Sequence, residues 1–259
     1  MHPDWHKYGL LHQKKQRRKL GQFMVEGVRL CREVISSGYP ITIAFFDETF
    51  RDSEVWSEFQ EAILRRATPF RFLKPANFKK LANTQTPQGV LFILPIAPPA
   101  NIAEEAKNWR TVILLENLQD PGNVGTLIRT ADWFGMDAVL LSPECVDLYN
   151  PKTIRSSMGS VFHLPVIQIE DTVSTLMLLK KSGFSIVAAT TEAESNIDLK
   201  PENPVVVILG SEAEGISKPI EKMADFSYSI TGRGQAESLN VAVAGGIIME
   251  KLSRSIPLF

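Results

Sequence analysis

The stretch Ser229-Ile-Thr-Gly-Arg-Gly-Gln-Ala-Glu-Ser-Leu-Asn-Val-Ala-Val-Ala-Gly-Gly246 joins a glycine-rich polar loop to an apolar helical pattern. Two related blocks lie upstream, Glu116-Asn-Leu-Gln-Asp-Pro-Gly-Asn-Val-Gly-Thr-Leu-Ile-Arg-Thr-Ala-Asp132 and Leu209-Gly-Ser-Glu-Ala-Glu-Gly-Ile-Ser217. In each block an apolar strand pattern gives way to glycines and small polar residues. Because α/β proteins build their binding loops at such junctions, the three blocks predict an α/β fold with a ligand site at the strand ends.

Around these blocks, apolar strand patterns alternate with helical patterns from residue 111 onward. Continuous apolar strands separated by helices are typical of a parallel sheet that is covered on both faces. The predicted strands are Thr111–Leu115, Ala138–Ser142, Val166–Ile167, Ser185–Thr190, Val205–Leu209 and Tyr228–Ile230. The predicted helices are Asn123–Phe134, Lys152–Met158, Ser174–Ser182, Ile216–Met223 and Asn240–Leu252.

The first 98 residues have their own pattern of short helices and strands. Residues 10–37 are predicted to be helical, with Gly21 and Gly27 flanking a short strand. The proline-rich stretch Pro95–Ala100 marks a boundary, because prolines favour stiff, extended chain. We therefore predict a basic N-terminal substrate-binding domain over 1–98, a linker over 99–109 and a larger domain over 110–259. The other elements predicted in the first domain are strands at Gln22–Val25, Ile41–Phe46, Phe70–Leu73 and Gly89–Leu94 and a helix at Glu54–Arg66.

Charge divides the chain at the same place. Residues 1–98 contain 15 Lys and Arg against 9 Asp and Glu, whereas residues 99–259 contain 13 against 20. A basic module in front of an acidic one fits a nucleic-acid-binding part joined to a catalytic part, with random unevenness of surface charge as the alternative. The candidate nucleic-acid contacts form one cluster, for which a solvated helix face is the alternative: Lys14, Lys15, Arg17, Arg18 and Lys19.

The composition narrows the class of protein further. Apolar residues make up 44% of the chain and charged residues 22%, as in ordinary globular proteins. The two cysteines, Cys31 and Cys145, are far apart, so neither a disulfide framework nor a zinc site is expected. No apolar run reaches membrane-spanning length and the N-terminus has no signal-peptide core, so we expect a cytoplasmic protein without a membrane or metal partner.

Several polar residues in the three blocks are candidates for chemistry. Arg129 lies among apolar neighbours in a helical pattern and needs a carboxylate or a phosphate as partner, so a structural ion pair is the alternative. Glu212 follows the end of a buried strand, and Gly210 lets a ligand approach the backbone. Ser238 is either a site residue or the N-cap of the last helix.

The block after Thr111–Leu115 opens a helix, where free backbone N–H groups could hold an anion. It lacks the GxGxxG fingerprint, which argues against a nucleotide-dependent enzyme on a Rossmann-type sheet.

Together the three blocks, over roughly residues 110–255, resemble the motifs of the SpoU (TrmH-type) RNA 2′-O-ribose methyltransferases of the SPOUT superfamily. The resemblance implies methyl transfer from S-adenosylmethionine to a ribose 2′-hydroxyl of ribosomal or transfer RNA. It also implies a homodimer and a C-terminal trefoil knot in the parallel sheet, which general topology rules would not predict. Residues 7–46 resemble, more weakly, the small α/β RNA-binding extension of the family.

The resemblance also assigns individual residues. This chain departs from the family pattern at Ser211 and Thr231, both in loops. Because the polar set is intact, an enzyme is favoured over a non-catalytic RNA-binding protein with a degenerate methyltransferase domain. The residues that match the active-site set are Asn123, Arg129, Glu212, Ser238 and Asn240. Those that match cofactor-contacting positions, mostly through their backbone, are Thr190, Gly210, Ile230 and Leu239.

Overall fold

The computed structural model describes residues 5–191 and 203–254, which divide into two compact units. The first unit contains the chain up to Pro98 together with Tyr149–Phe162, and the second contains Pro99–Leu148 and the chain from His163 onward. The strands are β1 (Gln22–Glu26), β2 (Ile43–Asp47), β3 (Phe70–Leu73), β4 (Val90–Pro95), β5 (Thr111–Leu115), β6 (Ala138–Leu141), β7 (Val166–Gln168), β8 (Ser185–Ala189), β9 (Val205–Leu209) and β10 (Phe226–Tyr228). The helices are α1 (His6–Gly9), α2 (Lys14–Leu20), α3 (Val28–Ser36), α4 (Trp56–Arg65), α5 (Pro75–Leu81), α6 (Ile102–Glu105), α7 (Pro121–Trp133), α8 (Pro151–Ser156), α9 (Thr172–Lys181), α10 (Lys218–Glu221) and α11 (Val241–Ser253).

The first unit is built on a four-stranded sheet in the order β1-β4-β2-β3. Strand β4 pairs antiparallel with both β1 and β2, and β3 pairs parallel with β2. The short strand predicted inside the N-terminal helical pattern is confirmed as β1. Gly21 and Gly27 bound it with positive φ values of 60° and 99°, a conformation that only glycine adopts at low cost and that interrupts the helices on either side.

One segment of the first unit comes from far along the sequence. Tyr149 packs on Phe23 with ring centroids 4.5 Å apart, and Phe162 packs on Tyr39 at 5.2 Å. Ile154, which is 1% exposed, lies in the same apolar cluster. The division therefore differs from the predicted one, which counted Tyr149–Phe162 with the C-terminal domain. The predicted linker also differs, because it contains α6 and because Trp109 is buried in the core of the second unit.

This arrangement predicts that a fragment of residues 99–259 will fold poorly. The apolar side chains of Tyr149–Phe162 would lose the core that buries them, and exposed apolar patches favour aggregation. We expect a lower soluble yield and a lower unfolding temperature than for the full chain. A matched fragment in which Ile154 and Phe162 are replaced by serine should recover solubility. A soluble unmodified fragment that unfolds at the temperature of the full chain would contradict this expectation.

The second unit is a six-stranded parallel sheet in the order β10-β8-β9-β5-β6-β7. Every residue of the central strands β5 and β9 is buried, as their continuous apolar sequences predicted. Helices α9 and α10 pack into the core on one face, and α7 contacts α11, whose Gly245 lies against Leu127 and Leu209. The predicted parallel sheet covered by helices is confirmed. In the described part of the chain, no helix is both long enough and apolar enough to cross a membrane.

Candidate active site

The carboxyl ends of β5 and β9 lie side by side at the centre of the second unit. The two strands pair in register with Leu115 opposite Leu209, and the Glu116 N–H donates to the Leu209 carbonyl at 2.9 Å. From this point the chain leaves β5 towards β6 on one side of the sheet and leaves β9 towards β10 on the other. Open α/β sheets bind ligands at such a change of direction.

Three predicted active-site residues meet at this place. Asn123 Nδ2 donates to Glu212 Oε1 at 2.8 Å, and Asn240 Nδ2 donates to the same oxygen at 2.7 Å. The Asn240 amide also lies 3.3 Å from Asn123 Oδ1. The three side chains come from α7, from the turn after β9 and from the start of α11, so the fold joins three distant segments at one carboxylate oxygen. Bonds to an ionised acceptor are stronger than neutral ones.

Helix α7 is fixed at its start by Asp120. The Asp120 carboxylate accepts the N–H groups of Gly122 and Asn123 at 2.6 and 2.9 Å, and Pro121 occupies the first helical position. The backbone N–H groups at this helix start were expected to be open to an anion, and for these two groups that prediction is wrong. Aspartate followed by proline is a helix-start signal, so this N-cap could have been recognised from the sequence.

Asn240 has two functions in the structure. Its Oδ1 caps α11 by accepting the N–H groups of Ala242 and Val243 at 3.0 and 3.4 Å, while its Nδ2 bonds Glu212. The alternative role of Ser238 as the N-cap of this helix is therefore wrong. Ser238 lies two residues earlier in an exposed loop, and within residues 5–191 and 203–254 its hydroxyl has no hydrogen-bond partner.

Glu212 is presented by a tight turn. Ser211 and Gly215 close the turn with reciprocal backbone hydrogen bonds of 3.1 and 2.9 Å. A Cβ on Gly210 would lie 2.2 Å from the Gly215 carbonyl carbon, so glycine is required there. The close approach to Gly210 in the structure is made by the backbone of this turn, and the predicted approach of a ligand to Gly210 stays a prediction.

Arg129 lies outside this network. It is exposed on α7, six residues after Asn123, and its guanidinium has no hydrogen-bond or ion-pair partner among the residues that the structure describes. The alternative of a structural ion pair therefore fails. A free, exposed guanidinium with a planar fork of donors is suited to a phosphate.

Three of the four residues predicted to contact the cofactor follow neighbouring strands. Thr190 comes directly after β8 and donates its N–H to the Tyr228 carbonyl at 2.9 Å, and Ile230 lies two residues beyond β10. Gly210 follows β9, so these three positions lie along one edge of the sheet. Leu239 lies in the exposed loop before α11, next to Asn240, and does not follow a strand.

The basic cluster on α2 is only partly available to a ligand. Lys14, Lys15, Arg18 and Lys19 are exposed, whereas Arg17 is 3% exposed. Arg17 Nη1 donates to the carbonyls of Leu11 and His12 at 2.8 and 3.0 Å, so it braces the turn before α2. The prediction that Arg17 contacts RNA is therefore wrong. The sequence did not reveal that Arg17 is buried, because arginine is almost never buried unless it is paired.

The two cysteines are not candidate nucleophiles. Cys31 and Cys145 are buried, and burial raises the pKa of both thiols, so neither is a thiolate nucleophile at neutral pH. Among the described residues, no group of three or more His, Cys, Asp or Glu could hold a metal ion.

Known proteins resemble both units. The SpoU rRNA Methylase family matches residues 110–250, and the MRM3-like substrate binding domain matches residues 6–91. The 23S rRNA (guanosine(2553)-2′-O)-methyltransferase RlmP of Bacillus subtilis (strain 168) is 34% identical over 251 residues, which cover 96% of this chain and 94% of that protein.

Solved structures agree with this match. The AdoMet-bound rRNA methyltransferase from Sinorhizobium meliloti has a TM-score of 0.87 and 26% identity, over 99% of this chain and 96% of its own. The SpoU methyltransferase AviRb from Streptomyces viridochromogenes, in complex with AdoMet, shares the fold, with a TM-score of 0.85 and 22% identity over 98% of each chain. The family resemblance drawn from the three sequence blocks is confirmed, and the chain belongs to the SpoU rRNA methylase family.

Proposed function

We propose that this chain is an S-adenosylmethionine-dependent RNA 2′-O-ribose methyltransferase. The observation that carries the proposal is the meeting of Asn123, Glu212 and Asn240 at the ends of β5 and β9. Membership of the SpoU family supports methyl transfer to RNA, and a relative that is 34% identical is named a 2′-O-methyltransferase. The proposed active site consists of Asn123, Arg129, Glu212, Ser238 and Asn240.

The edge of the sheet formed by the ends of β8, β9 and β10 suits S-adenosylmethionine. Thr190, Gly210 and Ile230 follow these strands and have small or apolar side chains, so the contacts to the cofactor are proposed to be mostly with main-chain groups. S-adenosylmethionine bound there would supply an electrophilic methyl group. The chain itself then needs only to align the ribose hydroxyl with that methyl.

Arg129 is proposed to hold the phosphate beside the target ribose and to stabilise negative charge that develops on its oxygen. An arginine guanidinium has no lone pair free to accept a proton, which makes it a poor base, so the proton acceptor is not assigned to Arg129. Glu212, held by two amides, and the Ser238 hydroxyl are proposed to orient the ribose.

A cofactor titration distinguishes this proposal from a non-catalytic RNA-binding protein with a degenerate methyltransferase domain. Calorimetric titration of the full chain with S-adenosylmethionine should give one site per chain. A Gly210→Val variant should lose this binding, because its side chain would collide with the turn. Absence of binding to the wild-type protein would favour the non-catalytic alternative.

The substrate that we propose is ribosomal RNA. The relative that covers 96% of this chain is named for 23S rRNA, and the match extends through the N-terminal unit. This unit is proposed to bind the RNA, and the unit that contains Glu212 is proposed to carry out the methylation in the cytoplasm.

A trefoil knot is proposed in the second unit. It is supported by family membership and by the position of β9, which returns between β5 and β8 before the chain leaves for β10.

The exposed lysines of α2 are proposed to bind phosphates, and this gives a matched test. A Lys14→Ala/Lys15→Ala variant should bind RNA more weakly, and its salt slope should fall by roughly 0.9 for each duplex phosphate that it no longer neutralises. The control is Lys218→Ala/Lys222→Ala, which removes the same charge from exposed positions in the second unit. Filter binding over a range of salt concentrations measures both effects. Equal slopes for the two variants would show that α2 is only a solvated helix face.

The protein is proposed to form a homodimer through α7 and α11. Trp133 of α7 is 83% exposed and Val243 of α11 is 52% exposed, although both are large apolar residues on helices that contact each other. Ala244 and Gly246 beside them are small and would allow a partner backbone to approach closely. Arg129 is also exposed on α7, so this interface would bring it near the second protomer.

A charge placed in this face should separate the protomers. We expect Val243→Glu to give a monomer with reduced activity, because the carboxylate would be buried without a partner. Val173→Glu on α9, which also replaces a partly exposed valine, is the control and should stay dimeric. Sedimentation velocity at micromolar concentration measures both. A fully active wild-type monomer would overturn the proposed assembly.

A further inference from the structure

A buried carboxylate lies beneath the turn that presents Glu212. Glu116 directly follows β5 and is 4% exposed. Its Oε1 accepts the Ser217 hydroxyl at 2.6 Å and its Oε2 accepts the Ser217 N–H at 3.0 Å. Both carboxylate oxygens are therefore used on one residue that is 101 positions away in the sequence. A buried carboxylate is costly unless such donors satisfy it.

Glu116 holds both ends of the segment that carries Glu212. Its backbone N–H bonds the Leu209 carbonyl just before the turn, and its side chain bonds Ser217 just after it. Between these anchors, the turn closes on itself through Ser211 and Gly215 and leaves no room for a Cβ on Gly210. The position of the Glu212 carboxylate is thus fixed from the end of β5.

From this geometry we infer that Glu116 is a positioning residue for methyl transfer, acting through Glu212. The inference rests on the proposed function. The Glu116 side chain has no hydrogen bond to Asn123, Glu212 or Asn240, but without it Ser217 at the far end of the turn loses its acceptor. A shift of the order of 1 Å at a reacting group can lower a rate about 10²-fold.

The test compares Glu116→Ala with the conservative Glu116→Gln. The glutamine carbonyl can accept the Ser217 N–H while its NH₂ group donates to the Ser217 hydroxyl, so both hydrogen bonds survive. We expect Glu116→Ala to lower kcat about 10²-fold with little change in KM for S-adenosylmethionine. Glu116→Gln should stay within a few fold of the wild type. Wild-type activity of Glu116→Ala would overturn the inference.

A double-mutant cycle separates positioning from general destabilisation. If Glu116 acts through Glu212, then Glu116→Ala should lower kcat only slightly when it is added to a Glu212→Ala variant. An equal fold-decrease in kcat in the wild-type and Glu212→Ala backgrounds would overturn the inference while leaving the proposed site intact. If Glu212→Ala alone has no effect, the proposed site itself fails, which is a different result. If Glu116→Ala does not fold, Ser217→Ala takes its place. This variant removes only the bond from the Ser217 hydroxyl to Glu116, and its kcat is compared in the wild-type and Glu212→Ala backgrounds.

Discussion

Replacement of Arg129 by alanine should lower the rate of methyl transfer by at least ~10²-fold, the scale expected for loss of one preorganised charge-stabilising group. The fold and the affinity for S-adenosylmethionine should change little. Arg129 is exposed and has no side-chain partner in the described residues, so its removal breaks no internal hydrogen bond or ion pair there. Single-turnover methylation with labelled S-adenosylmethionine, together with thermal unfolding, measures both effects.

Arg129→Lys is the matched control for this variant. Lysine keeps the positive charge but lacks the planar fork that binds two phosphate oxygens at once. We expect an intermediate rate if Arg129 binds phosphate through this fork. Activity of Arg129→Ala within a few fold of the wild type would remove Arg129 from the mechanism.

Replacement of Glu212 by alanine should have an effect of similar or greater size, about 10²- to 10³-fold in kcat if it orients charge-stabilising groups. The variant leaves the amides of Asn123 and Asn240 without the oxygen that they share. Its effect on stability should be small, because Glu212 is exposed and Asn240 still caps α11 through its Oδ1.

Glu214 supplies the control for Glu212. It lies in the same turn and is exposed, and its side chain has no partner among the residues described. Glu214→Ala should therefore keep nearly full activity, as expected for a solvated loop charge. Similar activities for the Glu212 and Glu214 variants would exclude the carboxylate of Glu212 from the site.

The sheet was predictable because its strands have strong local signals. The predicted bounds of Thr111–Leu115 and Val205–Leu209 match β5 and β9 residue for residue. Continuous β-branched and apolar residues favour buried parallel strands, and glycine and polar residues at their ends stop the pattern. Helix α5 was missed, because its seven residues have only Phe78 and Leu81 as a buried face.

The interactions that depend on tertiary structure could not be predicted. Nothing local in Tyr149–Phe162 shows that it packs into the first unit, and nothing local in Lys14–Lys19 separates buried Arg17 from its exposed neighbours. In the site, both Ser238 and Asn240 are good N-cap residues, and only the folded chain selects Asn240. The bracing of the Glu212 turn by Glu116 depends on a hydrogen bond across 101 residues.

This chain is proposed to methylate a ribose 2′-hydroxyl in ribosomal RNA. The most direct measurement is a map of 2′-O-methyl sites in total RNA from cells with and without the gene, and from cells that carry Arg129→Ala. We expect one ribosomal 2′-O-methyl site that is lost on deletion, restored by the wild-type gene and absent with the variant. Identical 2′-O-methyl maps with and without the gene, or a lost modification on a base instead of a ribose, would contradict it.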